Sequence, residues 1–170
     1  MARVYLGLGS NIERERYITA GLDALAGLFG KLDLSPVYDC PAMGFDGRPF
    51  LNLVAGVDTH FSLAELARTL RRIETEHGRP ENAQRNSPRQ LAIDILTYED
   101  LTGLKDGVEL PRSEFLYHAF VLRPLADLVP DQRHKLLGET YGALWDAFDQ
   151  GSQQINPVVF HWRGRPLPEP

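Results

Sequence analysis

The most constraining feature of this sequence is the order in which its hydrophobic periods change over the first hundred residues. Residues 3–9 read as a short buried strand that runs into Gly9-Ser10-Asn11, where small residues let the chain turn and Ser10 or Asn11 can cap a helix. Ile18, Leu22, Leu25 and Phe29 then recur at helical spacing, and Gly30 lies where a positive-φ residue would stop that helix. Leu32, Leu34 and Val37 suggest a second strand, residues 40–48 an exposed loop rich in glycine and proline, and residues 50–57 a third strand. Ser62 followed by Glu65 is a capping-box signature, and Leu63, Leu66, Leu70 and Ile73 form the apolar face of a helix ending near Gly78. Residues 79–89 are polar and aperiodic, which predicts a mobile surface loop with a ligand role, and residues 91–98 return to strand character.

The order β-α-β-β-α-β predicts an α+β ferredoxin-like sandwich: a four-stranded, mainly antiparallel sheet with both helices on one face. Beyond residue 100 the sequence suggests a hairpin-like segment, helices around 121–128 and 141–148, and a Pro-rich tail. With 170 residues, 43% hydrophobic content and no composition shift, one domain is expected, with a core at about 1–130 and an extension at about 131–170.

A net charge of −5 argues against a general nucleic-acid or membrane-surface binder, so an anionic ligand must meet a local basic cluster. Residues 1–11 show no signal-peptide layout, nothing later approaches the length of a membrane span, and Cys40 is the single cysteine. These features lead to the expectation of a cytoplasmic protein in a reducing compartment. A ferredoxin-like RNA-binding module would need stacking aromatics on the central strands and a basic face, and residues 91–96 hold no aromatic.

Three arginines, Arg79, Arg85 and Arg89, fall in or beside one loop, and guanidinium groups are the usual partners of polyphosphate because each presents a planar fork of donors. The same spacing would also suit a solvated charged loop. Asp94 lies on the strand that this loop feeds, where a carboxylate beside arginines suits a magnesium-phosphate ligand or a simple ion pair. There is no Walker-type glycine loop, no HExxH and no Ser-His-Asp signature, and the five histidines show no ligand spacing.

Gly9-Ser10-Asn11, Pro41-Ala42-Met43-Gly44, Phe50-Leu51-Asn52, Ile73-Glu74, Gly78-Arg79, Arg85, Pro88-Arg89, Asp94-Ile95-Leu96, Pro111 and Phe120 together resemble the successive landmarks of the 6-hydroxymethyl-7,8-dihydropterin pyrophosphokinases of folate biosynthesis. The resemblance covers roughly residues 1–130. It implies transfer of a pyrophosphoryl group from ATP to the hydroxymethyl oxygen of a reduced pterin, giving AMP, with two magnesium ions. By position, Asn52 would hydrogen-bond the pterin edge, Phe120 would stack on its face, and Cys40, Pro41 and Met43 would complete the pocket. Arg79, Arg85, Arg89 and Arg112 would act on the phosphates, and Glu74, Ile95 and His118 would belong to the nucleotide side. The partners implied are ATP and a pterin, met by a monomer or weak dimer.

The departures bear on the metal. The family's D-x-D strand is here Ala92-Ile93-Asp94, so a methyl group replaces the first carboxylate. Glu81 stands where the family tends to have a basic residue, Asn86 where it has a tryptophan, Gly107 an arginine, Arg112 a histidine and His118 an arginine. Two divalent ions about 4 Å apart repel by about 16 kcal/mol at an effective dielectric of 20, so bridging anions are what let a pair coexist. The expectation is one ion held by Asp94 and the triphosphate, the second weak or absent, with Arg112 replacing part of its charge. The competing expectation is a paralogue that binds a pterin, or acts on a related one, with little or no turnover.

Overall fold

The computed structural model describes residues 1–80 and 87–170. Its frame is β1 (Ala2–Ser10), α1 (Arg14–Phe29), β2 (Asp33–Leu34), β3 (Val37–Cys40), β4 (Phe50–Thr59), α2 (Leu63–Glu76) and β5 (Ala92–Tyr98). After it come a hairpin of β6 (Gly103–Lys105) and β7 (Val108–Leu110), helices α3 (Ala119–Leu128) and α4 (Tyr141–Ala147), and short strands β8 (Asn156–Val158), β9 (His161–Trp162) and β10 (Arg165–Pro166). The main sheet runs β5-β1-β4-β3-β8 with β2 also on β4, and all its pairings are antiparallel. This is the ferredoxin-like α+β sandwich expected from the order of periods, enlarged to six strands because the second strand is split into β2 and β3, both on β4, and β8 of the extension joins the edge beside β3.

Strand alternation assigns the two faces. Val4, Leu6 and Leu8 of β1, with Leu51, Leu53, Ala55 and Val57 of β4, face α1 and α2 and meet Ile18, Leu22, Leu25, Leu66 and Leu70 there. Each of these valine, leucine and isoleucine side chains, withdrawn fully from water, contributes about 1.5–3 kcal/mol before chain entropy is counted. Helix α2 carries both arms of its capping box, Glu65 N–H donating to Ser62 Oγ and Ser62 N–H to Glu65 Oε1, each at 3.2 Å. Helix α1 differs from expectation: neither Ser10 nor Asn11 caps it, and Glu13, at φ 44°, occupies the cap position without a side-chain bond. Ser10 bonds Ile12 instead, and Asn11 is committed to distant loops.

The other face is only partly covered. Tyr5, Val54 and Leu96 pack beneath Val121, Leu125 and Ala126 of α3 and Tyr141 of α4. Further along β1 the register places Gly7 between Val54 and Asp94, and Gly9 between Asn52 and Ala92. Two glycines on the central strand leave a low floor there, open to a ligand. Ile95 faces α1 and α2 and Leu96 the opposite side by ordinary alternation, and a bulge leaves Leu96 as the extra residue, because Leu6 pairs with Ile95 but Tyr5 with Thr97.

Two sequence boundaries are moved by side-chain chemistry. Pro36 interrupts the second strand; buried Ser35 mends the ladder, its N–H donating to Val54 O and its Oγ accepting from Val54 N–H. The strand then resumes as β3 and includes Cys40, paired with Phe50, so Cys40 belongs to the sheet and not to the loop assigned to it above. The Pro-rich tail carries the β9–β10 hairpin, which docks on α1 through Trp162 Nε1–H donating to Asp23 Oδ1 at 2.9 Å.

Candidate active site

The glycine floor opens into a cavity of about 450 Å³, within the size range of small-molecule sites. At one end Asn52 stands on the floor between walls from Pro41, Met43 and Phe45 of the loop after β3, and His118 and Phe120 at the start of α3. The His118 and Phe120 rings stack, with centroids 4.9 Å apart and planes inclined by 20°. Phe45 meets Phe50 edge-on. Gly9 is required for this geometry, because a Cβ there would lie 2.6 Å from Asn52 Oδ1.

The other end is cationic. Arg71, Arg79, Arg89 and Arg112 line it, against Asp94 as the sole acidic side chain of the lining among the described residues. Asn52 and Ala92 flank Gly9 on adjacent strands, so the two ends are separated by two strand spacings, about 10 Å. A second hollow of about 500 Å³ adjoins at the free edge of β5, sharing Arg71, Arg79, Asp94 and Arg112 and reaching Glu74, Ile95 and the β6–β7 hairpin.

Two buried residues hold the cationic end together. Asn11 receives Arg89 N–H on Oδ1 at 2.8 Å, donates its own N–H to Arg89 O at 3.0 Å, and reaches Arg48 O through Nδ2 at 3.2 Å. Glu74, on the last turn of α2, receives Arg79 Nη1 on Oε1 at 2.6 Å, and Arg89 Nη2 and Ile93 N–H on Oε2, each at 2.9 Å. Burial pushes the Arg89 guanidinium below its ordinary range, and the Glu74 charge opposes that shift. On the edge of β5, Arg112 donates its N–H to Leu96 O at 3.0 Å and Nε–H to Ile95 O at 3.5 Å, and its Nη2 lies 3.6 Å from Asp94 Oδ1.

Of the residues named from the sequence, Pro41, Met43, Asn52, Phe120, His118, Arg79, Arg89, Arg112 and Asp94 line the first cavity. Glu74 and Ile95 line the second. Cys40 is buried behind the wall, its thiol pushed up to about 12 chiefly by burial, so it stays protonated at neutral pH. Arg85, with Glu81 and Asn86, lies outside the described residues. Sequence reasoning gave no role to Phe45, Arg71 or Ser87 and mistook Asn11 for a cap; the Gly9-Ser10-Asn11 turn was visible, but its partner 78 residues away was not.

The donor set decides which metal arrangement fits. Among the described residues no three His, Cys, Asp or Glu side chains gather closely enough to cage an ion. Asp94, whose side chain is 47% exposed, fits one hard cation held largely by the ligand's own phosphate oxygens and water. It does not fit a bridged pair, since Ala92 supplies no oxygen from its side chain.

Residues 5–130 match the family model described as 7,8-dihydro-6-hydroxymethylpterin-pyrophosphokinase. The 2-amino-4-hydroxy-6-hydroxymethyldihydropteridine pyrophosphokinase of Pseudomonas aeruginosa is 40% identical over 136 residues, 77% of this chain and 83% of that protein. The Aquifex aeolicus protein of the same name is 33% identical over 138 residues, 80% of this chain and 86% of its own. Among solved structures, a Plasmodium falciparum HPPK-DHPS wild type with SDX-DHP superposes with a TM-score of 0.66 at 15% identity, over 86% of this chain and 43% of that one, a likeness of fold. Among the described residues no helix is long and apolar enough to cross a membrane. With three quarters of its length matched in sequence and its sheet and helices matched in space, the chain belongs to the 7,8-dihydro-6-hydroxymethylpterin-pyrophosphokinase family.

Proposed function

We propose that this cleft transfers a pyrophosphoryl group from ATP to the hydroxymethyl oxygen of 6-hydroxymethyl-7,8-dihydropterin. The observation that carries this reading is a flat aromatic end and a guanidinium-lined end sharing one glycine floor. Asn52 pairs with the polar edge of the pterin, and the stacked His118 and Phe120 rings cover its face. Binding there aims the hydroxymethyl group along the floor toward Asp94. Arg79, Arg89 and Arg112 receive the triphosphate through charge-assisted bonds that need no reorganisation during the reaction.

The hydroxymethyl oxygen forms a bond to the β-phosphorus, the bond from that phosphorus to the α,β-bridging oxygen breaks, AMP leaves with that oxygen, and the hydroxyl proton passes to solvent. Such transfer relies on positioning and charge stabilisation more than on a general base. Asp94 would hold a magnesium ion, which when bound neutralises phosphate charge. Arg112, fixed by its two bonds to β5, supplies a second positive charge beside it. The reading is of a monomer or weak dimer acting in the cytoplasm.

The test is to incubate the protein with ATP, magnesium and the pterin and to quantify nucleotides. AMP should accumulate in step with pterin diphosphate and without ADP. Folded protein that yields no AMP overturns the proposal. Gly9→Ala should weaken pterin binding by about fivefold, because the new methyl displaces the Asn52 amide and one hydrogen bond is worth about 1 kcal/mol; titration calorimetry should find ATP affinity unchanged. Ala92→Asp adds a carboxylate on the face that Asp94 shares, and the magnesium concentration for half-maximal rate should fall by roughly fivefold or more, as one added charge is worth at least about 1 kcal/mol.

A further inference from the structure

We infer that Glu74 serves the phosphates without touching them: it is a positioning residue that fixes Arg79 and Arg89 as one preformed clamp at the cationic end of the cleft. The inference rests on the proposed reading of that end as a polyphosphate site.

The geometry leaves Glu74 little else to do. Its side chain is 4% exposed, and both carboxylate oxygens are engaged, Oε1 by Arg79 and Oε2 by Arg89 and the Ile93 amide. Arg71 Nε lies 3.6 Å from Oε1. With three donors on its two oxygens and a side chain 4% exposed, Glu74 offers a nucleotide hydroxyl little free acceptor surface. The residues it gathers come from different segments: Glu74 from the end of α2, Arg79 three residues beyond that helix, Arg89 from the approach to β5, and Ile93 from β5 itself. One carboxylate therefore pins the ends of the loop between α2 and β5 to the sheet edge.

The clamp matters because an arginine arm has many rotamers. A guanidinium that must be ordered at each binding event costs affinity, whereas one already held against a buried partner does not. Arg79 and Arg89 are held in this way: their side chains are only 15% and 17% exposed, yet both line the cavity. The Glu74 charge also opposes the downward shift that burial imposes on the Arg89 guanidinium.

A plain counterion and a positioning residue predict opposite outcomes when Glu74 is neutralised. Removing a counterion raises the positive potential and should tighten anion binding; removing a clamp frees the arginines and should loosen it. Inorganic tripolyphosphate in magnesium-free buffer reads the arginines alone, and calorimetry on the full chain measures it. Glu74→Gln should bind tripolyphosphate at least tenfold more weakly than wild type while keeping its pterin affinity, and should have no further effect in an Arg79→Ala/Arg89→Ala background. Equal or tighter binding by folded Glu74→Gln overturns the inference, as does a loss that persists without the two arginines. A wild-type chain that does not bind tripolyphosphate removes the phosphate reading and this inference together, whereas absence of AMP formation with tripolyphosphate binding intact strikes the proposed reaction alone. Should Glu74→Gln fail to fold, nitrogen NMR of the wild type decides: separate, slowly exchanging Arg79 and Arg89 side-chain signals before ligand addition support a preformed clamp, and averaged signals overturn it.

Discussion

Asp94→Asn is expected to lower AMP formation by about 10³-fold while leaving pterin affinity within about twofold of wild type. The substitution keeps the shape of the side chain and removes its charge. Asp94 is the only acidic side chain among the described residues lining the cleft, and it projects from the floor beside Gly7, two strands from the wall that would hold the pterin. Its ion pair with Arg112 is partly exposed, so breaking it should cost less than about 1 kcal/mol of stability. A large kinetic effect with an unchanged melting temperature is thus the signature of a residue used for chemistry. Steady-state rates and pterin titration on the same preparation check both halves. If the variant keeps wild-type turnover, Asp94 holds no ion that matters to the reaction.

Arg89→Ala should show a different signature, losing both rate and stability. The rate loss, about 10²–10³-fold, follows from removing a fixed cation aimed at the transferring group. The stability loss follows from what remains: Glu74 Oε2 keeps only the Ile93 amide, and an under-satisfied buried carboxylate costs about 1–3 kcal/mol. Adding Glu74→Gln to Arg89→Ala should return part of that stability, because the buried carboxylate, which has lost the counter-charge on Oε2 and keeps only those on Oε1, is then replaced by a neutral amide. Urea unfolding of the two single variants and the double variant measures the coupling. Strict additivity would show that Glu74 and Arg89 do not depend on one another.

The frame of the fold was legible because each of its elements announces itself over a few residues. The apolar stripe from Leu63 to Ile73 and the Ser62–Glu65 box define α2 locally, and the structure contains both. What the sequence hid depends on contacts across long stretches of chain. Asn11 looks like a cap in its local setting, yet Arg48 and Arg89 compete for its side chain and win it. The Leu96 bulge is silent in an apolar run, since Ile95-Leu96 reads equally well as regular strand. Strand β8 is too short and too exposed to be recognised before its neighbour β3 is placed.

The site shows the same division. Asp94 and the arginines could be nominated because their chemistry is unusual for a loop and a strand. Their arrangement could not be read, because the Glu74 bonds reach 5, 15 and 19 residues along the chain and ignore helical spacing. The contribution of Phe45 was hidden within a glycine-rich loop, where one aromatic carries no periodic signal.

The central claim is that pterin and triphosphate meet on one floor, and the distance between the hydroxymethyl oxygen and the β-phosphorus tests it most directly. In a crystal of the chain with the pterin, magnesium and a non-hydrolysable ATP analogue, that distance should be about 3–3.5 Å, with the pterin against Phe120 and Asn52. A nucleotide bound away from Arg79 and Arg89, or a pterin whose hydroxymethyl group points out of the cleft, would contradict the account.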